Sequence, residues 1–219
     1  MQTVRPRKRK VANVRGSGGR KNAKPQPVRA GLSRESILDA ALEILNEGGM
    51  AALSLRSIVK RLGCSVAGPY TYFAGQDEII STLIQRGEEE LTGDLKRAGQ
   101  EGGDLFEVLR RLAATYMTFA RRNRELHKLM FNINGHKRIF PSATASYRAY
   151  IETIRGGVKS GRLHFSRKGY HAIARTMWAW LYGLIVLEMT GVTTMNADEA
   201  IDEGFSFFQR LLEQGEKSA

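Results

Sequence analysis

The sequence predicts an all-α protein: an N-terminal three-helix unit of helix-turn-helix type, a longer helical body, and a basic arm in front of both. Three observations carry that expectation. Apolar residues recur at i, i+3, i+4 and i+7 from Ser33 onward, with no strand-like alternation of any length. Ser, Asp and Gly stand at the ends of these segments, where helices start and stop. The net charge of +12 is concentrated in residues 1–30, which hold ten Lys/Arg and no acid and leave 24 basic against 22 acidic residues elsewhere.

Residues 1–30 contain Pro6, Pro25, Pro27 and Gly16-Ser17-Gly18-Gly19 and almost nothing apolar. Such a segment cannot bury enough surface to offset its ordering entropy, so it reads as a disordered arm. Arg5, Arg7, Lys8, Arg9 and Lys10 are its candidate DNA contacts, following phosphates or entering the minor groove.

Residues 31–80 form the helix-turn-helix unit. Ser33 caps a first helix whose stripe of Ile37, Ala41, Ile44 and Leu45 ends at Gly48-Gly49. Ser54 caps a second, with Leu55, Ile58, Val59 and Leu62 on one face and Gly63 as its stop. Ser65 is expected to cap a third, Val66 to about Phe73, since Pro69 is tolerated only near a helix start. A short helix, a Gly turn and a second short helix is the arrangement whose second helix enters the DNA major groove. Segment 54–73 carries Arg56, Lys60 and Arg61 and no acid, which suits a phosphate-facing surface. The segment 33–91 as a whole has five Lys/Arg against nine Asp/Glu, so long-range attraction to DNA is left to the arm. Val66, Ala67 and Gly68 offer no side-chain hydrogen bonds. Base readout therefore leans on thymine methyls and DNA shape.

Residues 81–219 form the body. Asp77 is expected to cap a connecting helix through Ile80, Leu83, Ile84 and Leu91. Further helices follow from about Asp104 to Asn123, around Leu126–Met130, over Ser142–Ser160, over Lys168–Thr190 and over Asp198–Leu212, with a loop at Asn132–Phe140. Catalytic chemistry finds no support. The four histidines do not pair at i, i+3 or i+4, no Ser/His/Asp order is present, and the glycine run lacks Gly-Lys-Ser/Thr. No metal site, cofactor or enzymatic function is expected. The single Cys64 excludes an internal disulfide. The most apolar run, Ala172 to Thr190, has 12 residues between Arg175 and Glu188, against about 20 for a membrane helix. A soluble, cytoplasmic, nucleoid-associated protein without membrane contact is the expectation.

Residues 33–91 resemble the DNA-binding domain of TetR/AcrR-family transcriptional regulators. The resemblance rests on Ile37, Ala40, Ala41, Leu45, Gly48-Gly49, Ser54-Leu55-Arg56-Ser57-Ile58, Leu62-Gly63-Cys64-Ser65, Tyr70-x-Tyr72-Phe73 and Asp77-Glu78-Ile79-Ile80. Gln76 stands where the family usually has a phosphate-contacting Lys, and Tyr72 where it usually has His. Val158 to Leu163, Met177 to Leu184 and Leu187-Glu188 are similar to the C-terminal domain of members named for a Trp-His-Gly signature, with Tyr182 in place of the His. The resemblance implies that Ser54 and Tyr70 reach phosphates and that Thr71 and Tyr72 lie nearest the bases, beside Arg56, Ser65, Val66, Ala67 and Gly68. It further implies a pocket for a small, largely apolar effector, for which Met117, Phe131, Tyr147, Trp178 and Tyr182 are candidates. It also implies a homodimer through the last two helices on a palindromic double-stranded DNA operator. The implied function is ligand-responsive repression, and the alternative is a nucleoid-type binder acting through the arm without sequence preference.

Overall fold

A computed structural model describes residues 31–131, 145–161, 169–192 and 196–216, with side chains through Leu211. The arm contacts expected at Arg5, Arg7, Lys8, Arg9 and Lys10, and the loop expected over 132–140, lie outside the described residues.

Helix α1, Arg34–Ala52, begins at the expected cap: Ser33 Oγ accepts the Ser36 N–H at 3.0 Å, and Ser36 Oγ accepts the Ser33 N–H at 2.9 Å. Its regular part stops at Gly49, whose φ of 64° is open to glycine and strained for other residues. Ser54 caps α2, Leu55–Leu62, through the same reciprocal pair with Ser57, and Gly63 closes it in the left-handed conformation.

The third helix differs from expectation. The only helical residues between α2 and the next long helix are the 3-10 turn Pro69–Thr71, preceded by turns at 66–68. Proline supplies no N–H and its ring crowds the carbonyl four residues back, so the chain here winds tighter than α. Gly68 N–H donates to Ser65 O at 2.9 Å, Thr71 N–H to Gly68 O at 3.1 Å and Tyr72 N–H to Pro69 O at 3.0 Å, all i to i−3. Ser65 thus contributes its carbonyl to the turn.

The connecting helix α3 runs Gln76–Gln100, with Gly75 rather than Asp77 at its cap position. Asp77 lies in the first turn, where its charge complements the helix dipole. Glu78 reaches back to accept the Ala74 N–H at 2.6 Å. The body continues as α4 (Leu105–Arg122, capped by Asp104), α5 (Arg124–Met130), α6 (Ala145–Lys159), α7 (Gly169–Thr190) and α8 (Ala197–Glu216). No strand occurs among the described residues.

Residues 32–219 make one compact unit with one continuous apolar core. The sequence boundary at residue 80 falls inside α3, which packs on α1 and then on α4, α5 and α6. Ile79 and Leu83 belong to the first half of that helix; Leu91, Leu95 and Ala98 belong to the second, and all are buried. The approach of α3 to α5 requires Gly87, because a Cβ there would meet Met130 Sδ at 2.6 Å. Helix α7 is long and apolar enough, by length and composition, to cross a membrane. Its Ala174, Met177, Leu181, Leu184 and Ile185 are instead buried, and it packs on α4, α6 and α8.

Candidate nucleic-acid interface

The α2–turn segment sorts its side chains cleanly. Ile58, Pro69 and Phe73 are buried, whereas Arg56, Lys60, Ser65, Ala67 and Thr71 are exposed. Val66 is 73% exposed and Tyr70 55%, which places two large apolar surfaces outward, uncovered by the other described residues. Gly68 is half-buried, and a Cβ at that position would press on Leu32 Cδ2 at 2.8 Å. Of the nine head residues singled out from the sequence, six therefore form one outward surface with Lys60, which sequence reasoning left out of the site although it lies in the same acid-free stretch.

Ser54 and Tyr72, like Gly68, are turned inward in part. Ser54 engages its hydroxyl with Ser57, whose own Oγ bonds Ala52 O at 2.8 Å. Tyr72 is half-buried, and its hydroxyl donates to Leu32 O at 2.6 Å, tying the end of the 3-10 turn to the start of α1. That leaves the Tyr72 hydroxyl engaged inside the head.

Arginines hold the surface in place. Arg34 donates to Tyr72 O at 2.7 Å, to Glu78 at 3.2 Å and to Thr82 at 3.4 Å, and its guanidinium carbon lies 4.2 Å from the Phe73 ring centroid. Arg86 of α3 reaches in the opposite direction, to Asp39 at 2.8 Å and Glu35 at 3.2 Å on α1. Gln76 donates to Leu53 O at 2.9 Å, so the residue that replaces the family's Lys joins α3 to the α1–α2 junction. Arg61 bonds Glu43 at 3.1 Å and Glu47 at 2.8 Å. The hydrogen bond from Arg61 holds the Glu47 carboxyl below the usual carboxylate range. Among the described residues, Arg56 and Lys60 are the cations of the α2–turn surface that have no acidic partner.

In the body, Phe131, Tyr147, Trp178 and Tyr182 are brought together around Tyr116. The Trp178 ring stacks on Tyr116 at 5.0 Å, Tyr147 meets Trp178 edge-on at 5.4 Å, and Phe131 lies 5.5 Å from Tyr182. Met117 is buried one residue along α4 from Tyr116. Sequence reading passed over His127, which is fully buried and lies 3.1 Å from the Tyr116 hydroxyl through Nε2. Burial pushes its imidazole down to about 4, so it is neutral at physiological pH. Burial likewise raises the Tyr116 phenol well above its ordinary value and raises the Glu88 carboxyl, which Ser146 Oγ bonds at 3.0 Å.

Residues 37–83 match the family described as bacterial regulatory proteins, tetR family, and residues 109–214 match the tetracyclin repressor-like C-terminal domain. Between them the two matches take in more than half of the chain. The chain belongs to the TetR family.

Other proteins place this TetR-family chain among diverse relatives. It is 25% identical over 108 residues to the nucleoid occlusion factor SlmA of Actinobacillus pleuropneumoniae, covering 49% of this chain and 52% of that protein. The chain thus spans about half the length of that relative. It is 25% identical over 165 residues to an uncharacterized HTH-type transcriptional regulator of Mycobacterium tuberculosis, covering 74% and 73% of the two chains. A solved protein of unknown function from Rhodococcus sp. RHA1 superposes with a TM-score of 0.74 at 27% identity, over 86% of this chain and 99% of that one.

Proposed function

We propose that this TetR-family protein is a sequence-specific transcriptional repressor that binds a near-palindromic operator as a homodimer and responds to a small effector. The observation that carries the reading is the outward surface of the α2–turn segment. Large apolar and polar side chains point out beside two cations, while Arg34 ties the end of the segment to α1 and Gln76 ties α3 to the residue that precedes the Ser54 cap. Val66, Ala67 and Thr71 contact base edges, Tyr70, Ser65, Arg56 and Lys60 contact phosphates, and Arg5, Arg7, Lys8, Arg9 and Lys10 in the arm add affinity.

The dimer reading is supported by an apolar surface on the last two helices. Leu187 is 39% exposed on α7, and Phe207 and Leu211 are 53% and 48% exposed on α8. Ala172, Thr176 and Ala179, also exposed, continue the α7 face in steps of three and four, with small side chains that allow a second copy to approach closely. The effector reading is supported by the aromatic cluster around Tyr116, with its neutral His127.

The test is enrichment of genomic fragments by full-length protein and by protein lacking residues 1–30, each at low and near-physiological salt. Sites shared by both proteins, with a steeper salt dependence for the longer one, are the expected result. Sites that vanish with the arm would favour the nucleoid-type alternative, which the scarcity of unpaired cations on the head makes the reading to beat.

A further inference from the structure

An α-helix takes its first internal carbonyl from its N-cap, so the peptide before the cap has no place in the helix's own ladder. In α1 the Ser33 carbonyl accepts the Ile37 N–H at 3.1 Å. The peptide one step earlier, between Leu32 and Ser33, is fixed at both edges by side chains. Its N–H donates to Ser36 Oγ at 2.9 Å, and its C=O accepts from the Tyr72 hydroxyl at 2.6 Å. The first bond is local and belongs to the cap. The second spans 40 positions and comes from the end of the 3-10 turn.

That bond is part of a two-way clasp. Tyr72 has little freedom of its own: its N–H donates to Pro69 O at 3.0 Å and its C=O accepts from Arg34 at 2.7 Å. Half-buried Leu32 packs on the apolar core, so close to the turn that a Cβ on Gly68 would meet its Cδ2 at 2.8 Å. Residues 32–34 and 68–73 are thus joined by hydrogen bonds in both directions, by Arg34 over the Phe73 ring and by a close apolar approach. The exposed Ala67, Tyr70 and Thr71 belong to the same turn. One residue before Leu32 the constraint ends: Gly31 is exposed, and a Cβ there would meet nothing within 4 Å. The ten cations of residues 1–30 join the folded unit at this point of the chain. Chain length alone keeps Arg29 within about 11 Å of Leu32, against a major groove about 12 Å wide.

We infer that Tyr72 is a positioning residue for the arm: its hydroxyl, acting through the Leu32 carbonyl, sets the direction in which the chain leaves the head, so that arm and turn engage adjacent parts of one DNA site. Tyr72 is one of two places where the head departs from the usual TetR-family text, and the departure supplies the phenol that makes the bond. A hydroxyl spent on the root of the arm is not available to DNA. Its effect on binding therefore runs through residues 1–30 and disappears with them. Fixing the root in advance spares the complex the ordering of backbone on binding, which is the source of the gain. The role rests on the operator reading of the head; the clasp itself does not.

The experiment is a double-mutant cycle on operator affinity, with full-length protein and protein lacking residues 1–30, each with and without Tyr72→Phe, at near-physiological salt. The shorter protein keeps Leu32 and the compact unit that begins there, so damage to the turn shows in both backgrounds. Tyr72→Phe is expected to weaken the full-length protein roughly fivefold to tenfold, as one more backbone residue to be ordered predicts, and the shorter one by less than about twofold. A second measurement reads position directly. An iron chelate on Val28→Cys, in a Cys64→Ser background, is expected to cut each half-site at a narrow cluster of nucleotides, and over a wider stretch once Tyr72→Phe is added. Equal weakening in both backgrounds overturns the proposal, because the hydroxyl then acts on DNA or on the turn. Absence of weakening in full-length protein overturns it too, as does a cleavage pattern that Tyr72→Phe leaves unchanged. A wild-type protein that prefers no fragment over random duplex overturns the repressor reading instead. The same cycle on random duplex then decides the clasp: weakening confined to full-length protein upholds it, and any other pattern overturns it.

Discussion

Head and body satisfy their polar groups in opposite ways. In the head, Ser33 and Ser54 each close a reciprocal cap, Arg34 and Arg86 cross between α1 and α3, and the half-buried Tyr72 and Gln76 end on main-chain carbonyls. In the body, Thr92 Oγ1, His127 Nδ1 and Tyr150 Oη are buried without partners, and none of the atoms so buried among the described residues lies before α3. A surface that must meet the regular geometry of DNA is held by many short polar ties. The core of the body leaves donors and acceptors without partners. The body does have strong ties, such as Arg121, which bonds Glu188 at 2.6 and 2.9 Å and Asp198 at 3.2 Å to join α4, α7 and α8. These sit at its surface rather than in its core.

The contrast can be broken most severely at the α7–α8 crossing. A Cβ on Gly204 would lie 2.0 Å from the Trp180 ring, which is itself wedged edge-on between Phe205 and Phe208. Gly204→Val is expected to destabilise the protein by about 4 kcal/mol, at the upper end for overpacking, and to reduce dimer content. Urea unfolding and sedimentation would measure both, and a stable dimeric Gly204→Val protein would show the crossing to be loose.

Next in size is the pH dependence of the body. An unfolded His127 binds a proton below about 6.5, while the folded protein keeps the ring neutral down to about 4. Stability from this group is therefore complete above the unfolded value and is lost as pH falls from about 6.5 to 4, by up to about 3 kcal/mol. His127→Phe should flatten that part of the stability–pH curve. An unchanged slope would assign it to the carboxylates instead.

Ser54→Ala tests the head from the other side. Losing one reciprocal cap is expected to cost about 1 kcal/mol of stability and to weaken operator binding, since α2 frays where it faces DNA. Smallest, and opposite in sign, is Tyr150→Phe. Removing a buried hydroxyl with no partner should leave stability unchanged or raise it by under about 1 kcal/mol, measured by thermal melting. A loss of stability would show that Tyr150 is satisfied in solution.

The sequence by itself determined most of the fold. Ser33, Ser54 and Asp104 were legible as helix starts and Gly49, Gly63 and Gly161 as stops, because caps are local contacts between residues a few positions apart and because φ values of 61° to 72° are open to glycine. Of the outward set, Arg56 was legible from the acid-free run it shares with Lys60 and Arg61, and Val66, Ala67 and Thr71 from the expected helix, while Tyr70 was singled out by the family resemblance. What the tertiary structure alone decided are the meetings of residues far apart in the chain. Arg34 finds Tyr72 and Glu78 across 38 and 44 positions, and Arg121 finds Glu188 across 67. Neither pairing leaves a periodic trace. The engagement of Tyr72 and Gln76 inside the head likewise depended on which carbonyls the fold brought near. The unsatisfied hydroxyl of Thr92 belongs to this class as well, because whether a buried group has a partner is set by every helix around it and by no local pattern.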